Sequence, residues 1–435
     1  MCSPCLPAEV WTYVFRLLSL SDRLRVRASC KYFRDLVDSA LWRNWTVELR
    51  SSGEEYEEDF WLMLRHLGVT SARLSSTVGY EFFLTHIAKG LPGLTTLILN
   101  IECFTEMKDL RSFINLERLH VVLHTRVRLE ELSLVLPQGL MHLTVCSTFC
   151  YETAVLPAEI SPDSSFKKLK SLVYHCDVDS HPVDVLHFFL SSLPELQHLS
   201  LKTYSEFSYE GNISDLPPLQ NCSLSSLELM ACETQKFPMD FMKMLSKLTF
   251  LRSLAIFCQY DCADEDELDD STLKLSSWLR DLPALTSLVV RSGNVRGFVQ
   301  SIPSSVTRLI FLPLFVDSWT EDMSALSEQL PDLHHLHLEP YDDLGSATAL
   351  IPGFFPRLKT LRLYHKRVPE DAFLSLGSLQ ELEVLETVDE EPLPAALFSK
   401  FRELTNNRVR IYNSPEDRWL WTCDCSYYIS TDYWA

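Results

Sequence analysis

One pattern constrains this chain more than any other: Leu-x-x-Leu-x-Leu, with apolar substitutes allowed, recurs twelve times. The copies are LTTLIL at Leu94, LERLHV at Leu116, LMHLTV at Leu140, LKSLVY at Leu169, LQHLSL at Leu196 and LSSLEL at Leu224. They continue as LRSLAI at Leu251, LTSLVV at Leu285, VTRLIF at Val306, LHHLHL at Leu333, LKTLRL at Leu358 and LQELEV at Leu379. Leu94 and Leu379 lie 285 residues apart over eleven intervals, a mean spacing of about 26. Within each copy the last two apolar positions are two apart, so they share one face of a short strand. Between copies, segments such as DVLHFFLSSLP and PMDFMKMLSKL space their apolar residues at helical intervals. Several close on Leu-Pro just ahead of the next strand, at Leu193-Pro194, Leu282-Pro283 and Leu330-Pro331. Proline there stops the helix.

A strand and a helix of this length cannot bury their apolar faces alone, so the units must stack. The spacing is that of leucine-rich repeats. The expected fold class is therefore α/β: a curved solenoid with parallel strands on its concave face and helices on its convex face. It should occupy residues 51–412 with about 12–14 repeats, counting worn copies at Val69 to Leu74 and near Val409 and Ile411. The asparagine or cysteine usual after the last leucine is mostly absent, and only Cys232 fits. The array is an irregular one.

Composition narrows the function classes. The 435 residues carry 39 Lys+Arg against 59 Asp+Glu, a net charge of −20, which disfavours nucleic acid and anionic membrane as partners. Glycine is scarce, 12 in all, and there is no Gly-x-Gly-x-x-Gly or Gly-x-x-x-x-Gly-Lys phosphate loop. No apolar stretch approaches the length of a bilayer span, and the first residues do not read as a signal peptide. Thirteen scattered cysteines without paired zinc-site spacing suggest a reducing compartment, cytoplasmic or nuclear, and neither metal nor cofactor is expected.

The first fifty residues are a different module. Pro7 precedes Val10, Trp11, Val14, Phe15 and Leu18 at helical spacing; Ser21 and Asp22 can cap a second helix carrying Leu24 and Val26. A third helix runs about Lys31 to Asp38, with Phe33 and Leu36 inward. The order Leu-Pro-x-Glu, an apolar helix ending in Phe-x-x-Leu, Asp-x-Leu-x-x-x-x-x-Cys-Lys and Leu-Trp resembles an F-box. An F-box followed by leucine-rich repeats is similar to the F-box/leucine-rich-repeat family of ubiquitin-ligase receptors. Where that family often has Val-Cys-x-x-Trp, this chain has Ser29, Cys30 and then Phe33. The resemblance implies docking on a Skp-type adaptor, and through it on cullin and RING subunits. By position it assigns the adaptor contacts to Leu6, Pro7, Glu9, Leu18, Leu24, Val26, Cys30, Leu41 and Trp42. Internal packing of the helices accounts for those residues equally well. From Leu6 to Arg50 there are eight basic and five acidic residues, a charge of +3 that suits an acidic adaptor.

In such an array the third, fifth and seventh motif positions face the concave surface. These 36 positions hold Arg118, Lys202, Arg291, Arg308 and Arg362 against Glu228, Glu339, Glu381 and Glu383, so the surface is near +1. They also hold six of the chain's 13 histidines: His120, His142, His175, His198, His335 and His337. Ordinary solvated polarity explains such positions. The sharper reading is a surface for an acidic or phosphorylated protein segment, with Arg291, Arg308, His335, His337, Arg362 and Tyr364 as its polar cluster. Phe257, Val289, Ile310 and Leu312 would supply apolar anchors beside it.

The acidic excess lies elsewhere, in YDCADEDELDDS from Tyr260 to Ser271 and in EEYEED from Glu54 to Asp59. The last residues, 413–435, are rich in aromatics, with Trp419, Trp421, Tyr427, Tyr428, Tyr433 and Trp434. They suit either a cap over the last repeat or a tail folded back towards the concave face. No nucleophile–base arrangement has motif support. The leading expectation is a non-catalytic substrate receptor of an SCF-type ubiquitin ligase. The alternative is a leucine-rich-repeat scaffold whose F-box-like helices only cap it.

Overall fold

The computed structural model describes residues 7–16, 18, 20–40, 46–49, 58–74, 80–101, 104–123, 132, 134–147, 165–176, 182–203, 223–231, 245–258, 277–291, 299–312, 318–338, 344–366, 368–389 and 391–413. The chain divides into two compact units, Met1–Ser171 and Leu172–Ala435.

The first unit opens with three helices, α1 (Ala8–Arg16), α2 (Leu20–Ser29) and α3 (Lys31–Ala40). Five strands follow: β1 (Thr46–Leu49), β2 (Ser71–Leu74), β3 (Thr96–Ile101), β4 (Arg118–Leu123) and β5 (His142–Ser147). They pair in parallel and in chain order, with Leu97 opposite Ala72 and Leu119, and Leu119 opposite Leu143. Strand β1 lies within the first fifty residues, yet Val47 and Leu49 are buried in the sheet's own core. Val69, Ala72 and Leu74 are buried too, so the worn copy at Val69 is a working repeat. Helices α4 (Glu58–His66) and α5 (Tyr80–Gly90) connect the first strands. They approach closely at Gly90, where a Cβ would stand 2.4 Å from the Trp61 ring. Gly90→Ala should therefore cost about 1–3 kcal/mol by overpacking, read as a lower urea midpoint for the first unit.

The second unit continues with β6 (Ser171–His175), β7 (His198–Thr203), β8 (Ser226–Ala231), β9 (Ser253–Cys258) and β10 (Ser287–Arg291). It ends with β11 (Arg308–Leu312), β12 (His335–Leu338), β13 (Thr360–Leu363), β14 (Val384–Thr387) and β15 (Arg410–Asn413). From β7 to β15 every neighbouring pair is parallel. The register stacks Leu227, Leu254, Leu288, Leu309, Leu336, Leu361 and Leu385 in one line. All seven are fully buried. At about 1.5–3 kcal/mol for each fully buried leucine, this ladder is the main force holding the strands in order.

Helical segments separate the strands. Between β10 and β11, which lie close in sequence, the described residues hold a 3₁₀ turn, Val299–Ser301. The longer intervals accommodate α6 (Pro182–Ser192), α7 (Trp319–Gln329), α8 (Ile351–Phe354), α9 (Glu370–Ser375) and α10 (Ala395–Leu404). Ser318 caps α7 by accepting from the Glu321 amide, in a Ser-x-x-Glu sequence suited to a capping box. Phe189 of α6 packs on Tyr174 of β6, and Phe373 of α9 packs on Phe401 of α10.

Most of the described strands are entered through the same turn. A buried residue three places before the motif's first leucine accepts its amide, as in Leu196 to Leu193, Leu285 to Leu282 and Leu333 to Leu330. This turn corrects the last repeat. Leu382 donates to Leu379, and Thr360 pairs with Val384, so the motif is LEVLET from Leu382 rather than LQELEV from Leu379. Leu379 is the turn residue. Arg408 locks that turn from the next repeat by donating to the carbonyls of Leu379 and Leu382.

Candidate functional site

Two regions carry chemistry that the core does not require. The first is the helical module. Pro7 lacks an amide donor, and its carbonyl accepts from Val10 and Trp11 to begin α1. The helix then brings Trp11 and Phe15 onto Phe33 of α3, with ring centroids 4.9 and 5.2 Å apart in edge-to-face geometry. Phe15 and Val37 are the only fully buried side chains among those described in this module. Phe33→Ala removes both ring contacts and should unfold the module at about 2–4 kcal/mol lower cost, seen as lost helical signal. Phe33→Trp should keep it folded. Cys30 stands just ahead of α3: its carbonyl accepts from Arg34, and its sulfur lies 3.5 Å from the Phe33 amide. Val10, Tyr13 and Tyr32 remain exposed on α1 and α3.

Of the residues expected to touch an adaptor, Pro7 and Cys30 are exposed and Leu18 and Val26 half-buried. Glu9 lies on α1 and Leu24 on α2. Leu6, Leu41 and Trp42 lie outside the described residues.

The second region is the sheet face opposite the leucine ladder in the second unit. One row across it runs Glu228, Ala255, Val289, Ile310, His337, Arg362, Glu386 and Tyr412. Its middle is closed: Ala255, Val289, Ile310, His337 and Arg362 are all buried. Arg362 is 0% exposed, and its guanidinium lies 3.6 Å from the Glu386 carboxylate. Burial raises the Glu386 pKa, and the Arg362 charge opposes the rise. His337 and Arg362 each make a further interaction within the chain. The register shift of the last repeat puts Glu386 here, where a reading from Leu379 puts Glu381 and Glu383. Three leucines at three-residue spacing, Leu379, Leu382 and Leu385, allow both readings, and only the turn decides between them.

The neighbouring row holds His198, Ser226, Ser253, Ser287, Arg308, His335, Thr360 and Val384, all half-buried. Arg308 donates to the Ser287 hydroxyl at 3.1 Å. Burial lowers the Arg308 pKa. His335 is pulled down to about 3, first by burial and then by Arg308, His337 and Arg362. His198, which contacts Ser226 at 3.1 Å, is lowered by burial against the opposing charge of Glu228.

The folded chain thus refuses protons that unfolded histidines, near pKa 6.5, accept. Stability should fall as pH drops from about 6.5 towards 3 and be independent of these groups above that window. His335→Gln should flatten that slope in urea-midpoint measurements against pH.

Among residues expected to form the substrate cluster, the structure brings Arg308, His335, His337 and Arg362 together on adjacent strands. Tyr364 follows β13 and is exposed. Phe257, Arg291 and Leu312 occupy aligned positions on β9, β10 and β11. Among the described residues no group of histidine, cysteine and carboxylate side chains could hold a metal ion. No described helix is long and apolar enough to cross a membrane.

Residues 4–47 match the F-box-like family model. The chain carries an F-box-like domain ahead of a leucine-rich-repeat sheet. No curated protein matches the chain. Among solved structures it is similar to yeast Rad7, determined in complex with Elc1, at 17% identity over 84% of this chain and 90% of that one, with a TM-score of 0.40. It is also similar to the internalin InlF of Listeria monocytogenes at 14% identity, 74% and 81% coverage and a TM-score of 0.35. A third likeness is to a chain of the Drosophila Toll–Spatzle complex, at 16% identity, 88% and 51% coverage and a TM-score of 0.30. Likenesses this distant say nothing of function. The F-box-like match and the strand order carry the assignment.

Proposed function

We propose that this F-box/leucine-rich-repeat chain is the substrate-recognition subunit of an SCF-type ubiquitin ligase. The F-box-like helices dock a Skp-type adaptor, and through it cullin and RING subunits. The sheet face opposite the leucines captures a protein substrate for ubiquitination and degradation. The observation that carries this reading is the match of residues 4–47, whose last two residues already belong to the first strand of the repeat sheet. The exposed Val10, Tyr13 and Tyr32 support it, because apolar residues on the outside of its helices are what a docking module offers a partner. In this arrangement the chain supplies proximity and its partners the chemistry. In this reading the substrate is bound by Arg308, His335, Tyr364, Arg291, Phe257 and Leu312, together with His337, Arg362, Val289 and Ile310 of the buried row beside Arg308 and His335.

Proximity labelling in cells with the proteasome blocked tests this. Proteins that accumulate beside the intact chain, and are ubiquitinated there, should lose ubiquitin but not proximity with Leu6→Ala, Pro7→Ala. Unchanged ubiquitination would favour a scaffold without ligase function.

A further inference from the structure

The leucine ladder of the second unit has an open end. Leu336, Leu361 and Leu385 are fully buried, but Ile411, which continues their line on β15, is only half-buried. Among the described residues β15 has one neighbour in the sheet, β14. Its outer edge therefore presents backbone donors and acceptors that a further segment could pair.

The bare surface continues onto the helix. Leu397, Phe398 and Leu404 lie three or four residues from the buried Phe401, on one face of α10. Leu397 and Phe398 are only half-buried, and Leu404 is 55% exposed. The apolar face of this last helix is thus wider than the core that covers it. Tyr412 of β15 is exposed as well. The terminal unit of a stacked array needs a polar outer face, since no further repeat shields its core. This one leaves five apolar side chains partly bare.

The last repeat is also basic. From Ala395 to Asn413 it carries Lys400, Arg402, Arg408 and Arg410 against Glu403, a charge of +3 in a chain of −20. Arg402 lies over the Phe398 ring, 5.6 Å from its centroid, so a cation borders the bare surface. Arg410 is exposed on the edge strand itself.

The segment that follows matches this surface in reach, polarity and charge. Residues Ser414 to Ala435 lie outside the described residues, and they begin where the open edge ends, at Asn413. They hold Glu416, Asp417, Asp424 and Asp432 against Arg418, a charge of −3 that balances the +3. Their first aromatic residues are Trp419 and Trp421. The six steps from Asn413 to Trp419 reach at most about 20 Å, twice the roughly 10 Å between packed layers. Trp419 can therefore cross from the sheet to the helix.

We propose that residues 414–435 cap the last repeat, with Trp419 and Trp421 over Ile411 and the bare face of α10 and their carboxylates beside Arg402 and Arg410. The cap closes the end of the array to a second copy of the chain. It is independent of what the chain binds elsewhere.

Hydrogen exchange read by mass spectrometry tests this on the full-length chain, on Trp419→Ala with Trp421→Ala, and on Arg410→Glu. Amides from Leu397 to Asn413 should exchange about tenfold faster in the tryptophan variant, while those of β9 to β12 keep their wild-type rates. Added salt should speed exchange of the same residues in the wild type, and Arg410→Glu should abolish that salt dependence. Light scattering on the same samples should find the wild type monomeric. Wild-type rates from Leu397 to Asn413 in both variants would overturn the proposal. So would a wild-type dimer whose protection of β15 fades on dilution, because a second copy would then cover the end.

Discussion

Leu309→Asp should abolish cooperative folding of the second unit. Leu309 is fully buried on β11, in line with Leu288 on one side and Leu336 on the other. An aspartate there keeps the strand position but puts a carboxylate among leucines, with no described polar group in its line to meet it. The chain must either bury the charge or protonate it, and either course costs more than the roughly 4–5 kcal/mol that marks the most damaging substitutions. Repeat arrays pass stability between neighbours, so the loss spreads to β10 and β12. Far-ultraviolet circular dichroism against urea should show the transition broadened and shifted to low denaturant. Leu309→Ala sets the scale, at about 3–5 kcal/mol for the cavity alone. A Leu309→Asp chain that melts like wild type would mean the ladder does not hold the sheet.

Arg362→Ala should be the second most damaging change, although it alters a polar residue. Removing the guanidinium leaves Glu386 buried and without the Arg362 charge that favours its ionised form. Breaking such a pair from one side costs about 3–5 kcal/mol. Replacing both partners with apolar residues, Arg362→Met with Glu386→Leu, should recover most of that loss, because no charge is then stranded. A double variant as unstable as Arg362→Ala would place the effect in the other contacts of Arg362. At low pH, where Glu386 is protonated in either chain, the single variant should fall less far below wild type.

The strand order was legible in the spacing of the leucines, because a two-residue alternation every 26 or so residues admits few other folds. The three helices of the F-box-like domain were legible from apolar spacing, and α3 runs to Ala40, two residues beyond the Asp38 expected for its end. The last register was not legible, since Leu379, Leu382 and Leu385 satisfy two alignments and the deciding hydrogen bond is a turn contact. Nor did residue type separate the open row from the closed one. Arg308 and Arg362 look alike in the sequence, yet one is half-exposed beside Ser287 and the other is sealed over Glu386. Burial on a sheet face depends on what lies above it, which strand alternation does not encode. Ser253, Ser287 and Thr360 escaped notice because small hydroxyl residues carry no signal until five of their strands are set side by side.

The central claim is that residues 4–47 dock a Skp-type adaptor while the sheet remains available to a substrate. The most direct measurement mixes the purified full-length chain with a purified Skp-type adaptor and follows mass by size-exclusion chromatography with light scattering. The account predicts a one-to-one complex that survives Arg308→Gln but is lost with Leu6→Ala, Pro7→Ala. A folded chain that elutes alone at micromolar concentrations of both proteins would contradict it.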